Sequence, residues 1–439
     1  MTRRAVIAVL DGLRRDLIGR NSTPRLAAAR QDFEWFCDHR SVFPSTTRVS
    51  AACIATGCRP ARHGLLGNTV ALRRNGALTV FDAGKPGFFD EMRQIKGRTL
   101  GVPTLAQRVA GKGGAIVFSN VSPGAAYVHD PDGYGHVYHP AGSYGPGRTP
   151  IGGGAGLSIT HDAEGDWAMT ERFCEEVLQE RRPTLALIWL GEPDHTQHTV
   201  PLGSDAHMAA LEAADRCAGQ VIEACNRISE RDGDDILLII GSDHGHQTIR
   251  REIDIEAELA AAGFDGEIAA SEVVVASNGT AALIYLDGAA AACRGEIAAF
   301  LREQDWAGEI YQGGELSLVG LDEADGLAIA VAMRHSRETN EFGVPGLSDV
   351  SVTAEDAGAR VGRGQHGGLG HYEQAPFLMI RGTGFAAAAD RSVPSSLTDV
   401  APTVLQHLGM PFAGTDGRPL QSDFPQISER GQNHARGAL

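Results

Sequence analysis

Three short apolar runs in this chain each stop at an acid, and this pattern constrains the fold more than any other feature. Val6 to Leu10 ends in Asp11-Gly12, and Leu185 to Leu190 ends in Gly191-Glu192-Pro193-Asp194-His195-Thr196-Gln197-His198. Ile236 to Gly241 gives way to Ser242-Asp243-His244-Gly245-His246. Runs of this length, rich in Val, Ile and Leu and lacking polar alternation, read as strands buried on both faces. Ala115 to Phe118, Ala281 to Leu286 and Phe377 to Ile380 have the same character. Helical patterns lie between them. The clearest runs from about Asp205 to Ile228, with Leu211, Ala214, Ala218, Val221, Cys225 and Ile228 on one face. Alternating strands and helices predict an α/β/α sandwich with a largely parallel central sheet. In such sheets ligands bind at the carboxyl ends of the strands, so the acid-bearing segments are expected to converge on one site.

Two regions depart from the alternation. Residues from about 120 to 160 are rich in Gly, Pro, Tyr and His and read as a long loop. From 251 to 360 a helix, several strands and polar turns predict a small α+β insertion or cap, with the catalytic core split into 1–250 and 361–439. At 439 residues the chain has room for one large core or two of ordinary size. The start, Met1-Thr2-Arg3-Arg4 followed by Ala5 to Leu10, reads as a first strand. It is too short for a signal peptide, meets Asp11 at once and has no small-residue cleavage site. No apolar run reaches the roughly eighteen residues of a membrane span, so no membrane partner is expected.

A net charge of −16 without a Lys/Arg block argues against binding a nucleic-acid duplex, which needs a basic surface to release counterions. Small anionic substrates stay open, because a local site can be positive on an acidic protein. The seven cysteines, at 37, 53, 58, 174, 217, 225 and 293, form neither CxxC pairs nor a disulfide framework. They are expected to be buried free thiols, which points to the cytoplasm. The sequence does not speak to oligomeric state.

Asp and His together are the oxygen and nitrogen donors that Zn²⁺ and similar ions take. A fourth segment, Gly364-Gln365-His366-Gly367-Gly368, adds another histidine. Alone, an Asp after a strand is usually a helix cap and a His-Gly pair a turn; four such segments at compatible positions point instead to a metal site. Phe43-Pro44-Ser45-Thr46-Thr47-Arg48-Val49-Ser50 leads into a short helix predicted over Ala51 to Thr56 and stopped by Gly57. A hydroxyl at a helix N-terminus sits among unpaired N–H groups, which favour a bound anion and a developing alkoxide. The same hydroxyls suit a capping role, and the two uses are compatible. Free Thr is a poor nucleophile, and metal coordination would supply the activation.

Taken in order, Asp11-Gly12, the Thr47 segment with Thr56-Gly57 and His63-Gly64, Asp194 with His198, Asp243-His244-Gly245 and His366-Gly367 resemble the alkaline phosphatase superfamily. Within it, the type I phosphodiesterase/nucleotide pyrophosphatase branch, phosphonoacetate hydrolases included, is the most similar in style. The resemblance spans nearly the whole chain, to Leu397-Thr398-Asp399-Val400-Ala401-Pro402-Thr403 and Asp416-Gly417-Arg418-Pro419-Leu420. It implies an alkaline phosphatase-like fold and two divalent ions, Zn²⁺ foremost with Mn²⁺ or Fe²⁺ as alternatives. By the resemblance, one ion would be held by Asp194, His198 and His366, and the other by Asp11, Asp243, His244 and the Thr47 oxygen. Thr47 would be the nucleophile, forming a phosphothreonine from a small phosphorylated or phosphonate substrate. Arg48 and Ser50 would orient the phosphate, Ser50 standing three residues after the nucleophile, where phosphodiesterase relatives often carry Asn.

Thr47 lies ten residues before Gly57, the spacing at which sulfatases carry the Cys or Ser they convert to formylglycine. Thr cannot supply that aldehyde, and phosphoglycerate mutase relatives typically place Ser here, so both branches are disfavoured. The resemblance therefore implies a hydrolase of phosphodiester or nucleotide pyrophosphate bonds. A C–P bond hydrolase similar to phosphonoacetate hydrolase is the alternative. A metal-binding, non-catalytic paralogue is a third reading, disfavoured because a scaffold has no need of a nucleophile beside its metals. His195 and His246 are expected to flank the ligands without binding the ions, and His366 is preferred to His371 for its His-Gly-Gly context. His129, His136 and His139, with Tyr127, Tyr134 and Tyr138, are expected in a mobile, solvated loop. Arg59 and Arg62 read as surface charges and Cys53 as core.

Overall fold

Five apolar runs form the middle of one sheet: β1 (Arg3–Leu10), β2 (Ala115–Ser119), β3 (Leu185–Leu190), β4 (Asp235–Gly241) and β5 (Leu378–Arg381). Their order is β5-β4-β1-β3-β2, parallel throughout except that β5 runs antiparallel to β4. The computed structural model describes residues 2–355, 358 and 360–422; residues 423–439, the end of the last core part expected from the sequence, lie outside the described residues. Further strands at both edges extend this sheet to ten among the described residues. Leu10 pairs with Leu190 and Val9 with Gly241, so the three central strands end level. Asp11, the Gly191-Glu192-Pro193-Asp194 segment and Asp243-His244 therefore leave the sheet at the same edge.

Both faces of the sheet are dry, which is why its strands read as unbroken apolar runs. Ile7, Val9, Leu187, Trp189 and Ile239 pack on one face with Val49, Ala52 and Cys53 of α1 (Thr47–Thr56). Val6, Ala8, Leu10, Ile188 and Leu238 pack on the other with Leu211, Ala214, Val221 and Ile228 of α2 (Asp205–Asp232). This is the α/β/α sandwich expected from the alternation. The long α2 is capped by the Ser204 side chain, which accepts from the His207 N–H, and ends at Gly233 in the left-handed region (φ 66°). From its buried face Asp215 reaches the short helix Pro24–Ala29 and accepts from the N–H groups of Arg25 (3.0 Å) and Leu26 (2.7 Å).

A separate four-stranded sheet orders Val273–Ser277, Ala281–Leu286, Leu327–Met333 and Ala307–Gln312. Along Ala281–Leu286 the period of two is clean: Ala281, Leu283 and Tyr285 join the main core, while Ala282, Ile284 and Leu286 pack with Ile255, Ile297 and Trp306 in a second core. This sheet is thus fastened to the sandwich by a whole face, and its first turn, Ser277-Asn278-Gly279, is held at the sandwich edge.

The stretch from about 120 to 160 corrects the loop reading. It contains the helix Pro123–Tyr127 and three short strands, His136–Tyr138, Ser143–Gly145 and Thr149–Ile151, that continue the central sheet beyond β2. His129 and His139 are buried, and His139 Nε2 donates to the Val121 carbonyl at 2.7 Å. Pairing with the sheet edge satisfies the backbone of this Gly- and Pro-rich segment, so it does not need solvent. All seven cysteines are free, and Cys53 sits in the core. Among the described residues no helix is long and apolar enough to cross a membrane.

Asp215→Ala should leave the buried Leu26 N–H and the part-buried Arg25 N–H of the first turn of Pro24–Ala29 unpaired, at a cost of about 1–3 kcal/mol. Urea unfolding should report that loss, with metal binding unchanged.

Candidate active site

The Thr47 segment owes its position to α1, which begins at Thr47 and not at Ala51. None of Ser45, Thr46 and Thr47 caps the helix through its side chain. The Ser45 hydroxyl instead donates to the Gly368 carbonyl (3.0 Å) and accepts from the Gly367 N–H (3.1 Å), tying this segment to the loop that carries His366. Thr47 is free to turn its Oγ1 toward His244 Nε2, 3.1 Å away.

Two donor groups stand side by side at the level strand ends. Asp11, Asp243 and His244 form one, all buried, and Asp194, His198, His246 and His366 form the other. His366 Nδ1 donates to the Ser45 carbonyl at 2.7 Å and His244 Nδ1 to the Gly245 carbonyl at 3.2 Å, which leaves both Nε2 lone pairs facing inward. The two rings stack at 3.5 Å between centroids, so the groups adjoin. Trp189 Nε1 donates to Asp11 Oδ2 (3.0 Å) and the Gly12 N–H to Asp243 Oδ1 (3.1 Å). The remaining oxygens, Asp11 Oδ1 and Asp243 Oδ2, are buried without a hydrogen-bond partner; His244 Nε2 lies 3.4 and 3.1 Å from them.

Electrostatics agree with a place made for cations. Burial, reinforced by the neighbouring Asp243 and Asp194, raises Asp11 well above the usual carboxylate range. Burial first, and Asp194 beside it, push Asp243 up to about 7. Burial lowers His244 to about 3 and His246 to about 4, and holds His366 well below its usual value. Asp194 behaves oppositely: against the upward push of burial, His198 and His246 hold it well below the carboxylate range. His244, His246 and His366 are thus kept neutral, the form that binds a metal, whereas against the downward pull of burial Asp194 raises His198.

Two further carboxylates brace the loops. Buried Asp166 accepts from the N–H groups of Gly191 (3.1 Å) and Glu192 (2.8 Å) and from Asn120 Nδ2 (2.9 Å), fixing the turn before Asp194. Buried Glu373 accepts from the N–H groups of Gly368 (3.0 Å) and Gly370 (2.8 Å) and from the Thr280 hydroxyl, fixing the turn after His366.

A cleft opens above both groups, lined among others by Asp11, Thr47, Arg48, Asp194, His198 and His366. Ser50 does not reach it: the residue is fully buried and its hydroxyl has no partner. An amide beside the Thr47 segment that does line the cleft is Asn68, whose Oδ1 accepts from the Arg48 N–H at 3.1 Å. Asn68 lies outside any motif, on the coil after His63-Gly64, and no sequence signal singled it out. His246 was legible as a histidine beside the ligands, but its place among them was not. It is buried, with Nε2 2.6 Å from Asp194 Oδ1. His371 stands apart, exposed near Arg337. His195 lines the cleft rim with His161. Arg62 pairs with Asp416 at the surface.

The family described as type I phosphodiesterase / nucleotide pyrophosphatase matches residues 5–311. Comparison with curated proteins gives no match. Among solved structures, murine ectonucleotide pyrophosphatase/phosphodiesterase 5 is similar in fold, with a TM-score of 0.67 at 17% identity over 94% of this chain and 97% of that one. An inactive threonine-to-alanine form of the same murine protein, in complex with AMP, superposes equally, again at TM-score 0.67 and 17% identity.

Asp243, at 3.8 when unfolded and about 7 when folded, binds more protons in the folded state between those values. Stability of chelator-stripped protein should therefore fall as pH rises from about 4 to about 7. Zinc affinity should rise over the upper part of that range, because binding requires the ionised carboxylate. Thermal melts with and without zinc across pH 5–8 check both signs.

Proposed function

Since the chain belongs to the type I phosphodiesterase/nucleotide pyrophosphatase family, we propose that it cleaves phosphodiester or pyrophosphate bonds through a phosphothreonine formed on Thr47. That it is a hydrolase of phosphoester bonds follows from the family. The observation that carries the finer reading is the pair of buried, unpartnered oxygens, Asp11 Oδ1 and Asp243 Oδ2, beside His244 Nε2 and Thr47 Oγ1. A buried carboxylate pair with one oxygen of each left without a donor is costly unless a cation compensates it.

The donor set fits two divalent ions. Asp11, Asp243, His244 and the Thr47 oxygen would hold one. Asp194, His198 and His366 would hold the other, with His246 keeping Asp194 in place through their 2.6 Å contact. Three protein ligands leave a position open, the pattern of catalytic sites, whereas a fourth ligand from His246 would close it. The mixed imidazole and carboxylate set suits Zn²⁺, with Mn²⁺ or Fe²⁺ as alternatives. Bound there, the ions would neutralise charge on the phosphoryl oxygens and ease ionisation of the Thr47 hydroxyl.

The protein's own groups then carry the steps. Thr47 Oγ1 bonds to phosphorus as the leaving oxygen departs on the opposite side, giving the phosphothreonine. The first-turn N–H groups of α1 face the phosphoryl oxygens with the positive end of the helix. The Asn68 amide is placed to donate to one of them. Water then attacks phosphorus, the Thr47 ester breaks and the hydroxyl returns. The AMP complex of the inactive murine protein supports a small phosphorylated molecule as the substrate type.

Zinc-loaded protein should hydrolyse bis-p-nitrophenyl phosphate. Thr47→Ala should lower turnover by about a thousandfold or more while zinc content stays near that of the wild type. Full turnover by the zinc-loaded variant would exclude Thr47 as the nucleophile.

A further inference from the structure

The cleft that holds Thr47 carries a second piece of recognition chemistry, aimed at the part of the substrate beyond the reacting phosphorus. Arg48 is the one Lys or Arg among the described residues lining it. Its guanidinium is held on three sides. Nε donates to the Ser122 hydroxyl at 3.1 Å, Nη2 lies 3.7 Å from Asp82 Oδ1, and one face rests on Gly84, where an added methyl would collide with it. The side chain is only 18% exposed. Yet neither terminal nitrogen hydrogen-bonds to any described residue, and neither forms an ion pair with the nearby Asp11 or Asp194. Its ion-pair partner Asp82 is half-exposed and lies beyond hydrogen-bond distance, so the terminal N–H groups stay open to an anion in the cleft.

The rest of the lining points the same way. No Phe, Tyr or Trp is among the described residues that line the cleft. The histidines at its rim, His161 and His195, pack edge to face on each other at 4.6 Å. Asn68, Ser122 and Gln365 supply amide and hydroxyl groups. A nucleobase gains its binding energy from a stacking platform, worth roughly 1–3 kcal/mol per base; the aromatic rings on this wall, among the described residues, are imidazoles already packed on one another, His161 with His195 and His198 with His366. The cleft measures about 330 Å³, near the lower end of the roughly 300–1,000 Å³ usual for ligand pockets. The reacting phosphoryl group and the metal ions must share that space.

Resting on the Thr47 reading above, we infer that the preferred substrate is a short, hydrophilic phosphorus compound, not a nucleoside derivative, with a second anionic group, carboxylate or phosphoryl, held by Arg48.

Titration calorimetry on zinc-loaded Thr47→Ala protein tests this without turnover, using phosphonoacetate and methylenediphosphonate as anion-bearing ligands, ethylphosphonate as their uncharged-tail counterpart, and AMP. At least one anion-bearing ligand should bind about tenfold or more tighter than both ethylphosphonate and AMP, and the tighter of the two identifies the anion. Arg48→Ala should abolish that preference, weakening the tighter anion-bearing ligand about tenfold or more beyond any change for ethylphosphonate. Gly84→Ala, which displaces the guanidinium and leaves its charge in place, should weaken the preference in a protein of wild-type melting behaviour. Tighter binding of AMP would overturn the inference, as would equal weakening of every ligand by Arg48→Ala, which would place the arginine on the reacting phosphoryl group. Failure of wild-type enzyme to hydrolyse bis-p-nitrophenyl phosphate would count against the Thr47 reading, and is read separately from these affinities.

Discussion

Asp11, Asp194 and Asp243 are crowded at one edge of a sheet whose two faces are dry, and much of the site's architecture can be traced to compensating them. Level strand ends bring them together, because β1 lies in register between β3 and β4. Trp189 and the Gly12 N–H satisfy one oxygen each of Asp11 and Asp243, and His198 and His246 face Asp194. What remains is a concentration of negative charge and inward-facing imidazole lone pairs that protein groups do not neutralise. Divalent cations are the natural complement, and a hydroxyl at a helix N-terminus beside them acquires a chemistry it would lack in water.

The precision of that arrangement is borne by groups that do not take part in it. Asp166 and Glu373 each gather N–H groups from the turns flanking Asp194 and His366, so both of these loops are built around a buried carboxylate. Ser45 stitches the start of α1 to the His366 turn. The smaller sheet contributes as well: fastened to the main core by one face of Ala281–Leu286, it presents Asn278 at the cleft wall, where the amide is spent on Thr69 and Ala276 and so acts as masonry.

Much of this was legible in the chain, for a physical reason. Strands buried on both faces leave unbroken apolar runs, and acids at their ends stand out against them; Asp11, Asp194, Asp243, His244 and His366 announce themselves in that way. Residues that reach the site from irregular backbone leave no such trace. Asn68 follows a turn, and nothing in its neighbourhood marks it. His246 sits two residues past an obvious ligand, and only the fold decides whether it turns inward. The Gly- and Pro-rich stretch near 120–160 looked solvated because composition reports turns, not the sheet edge that those turns pair with. The start of α1 was placed late because Thr47, Val49 and Ser50 in its first turn carry little helical signal.

The most direct test of the two-ion arrangement is an anomalous-difference map from zinc-loaded crystals, with data on either side of the zinc edge. The account predicts two peaks about 3.5–4 Å apart, one contacted by Asp11, Asp243, His244 and Thr47 Oγ1, the other by Asp194, His198 and His366 with His246 off the ion. A single peak, or a second ion closed off by His246 as a fourth protein ligand, would contradict it.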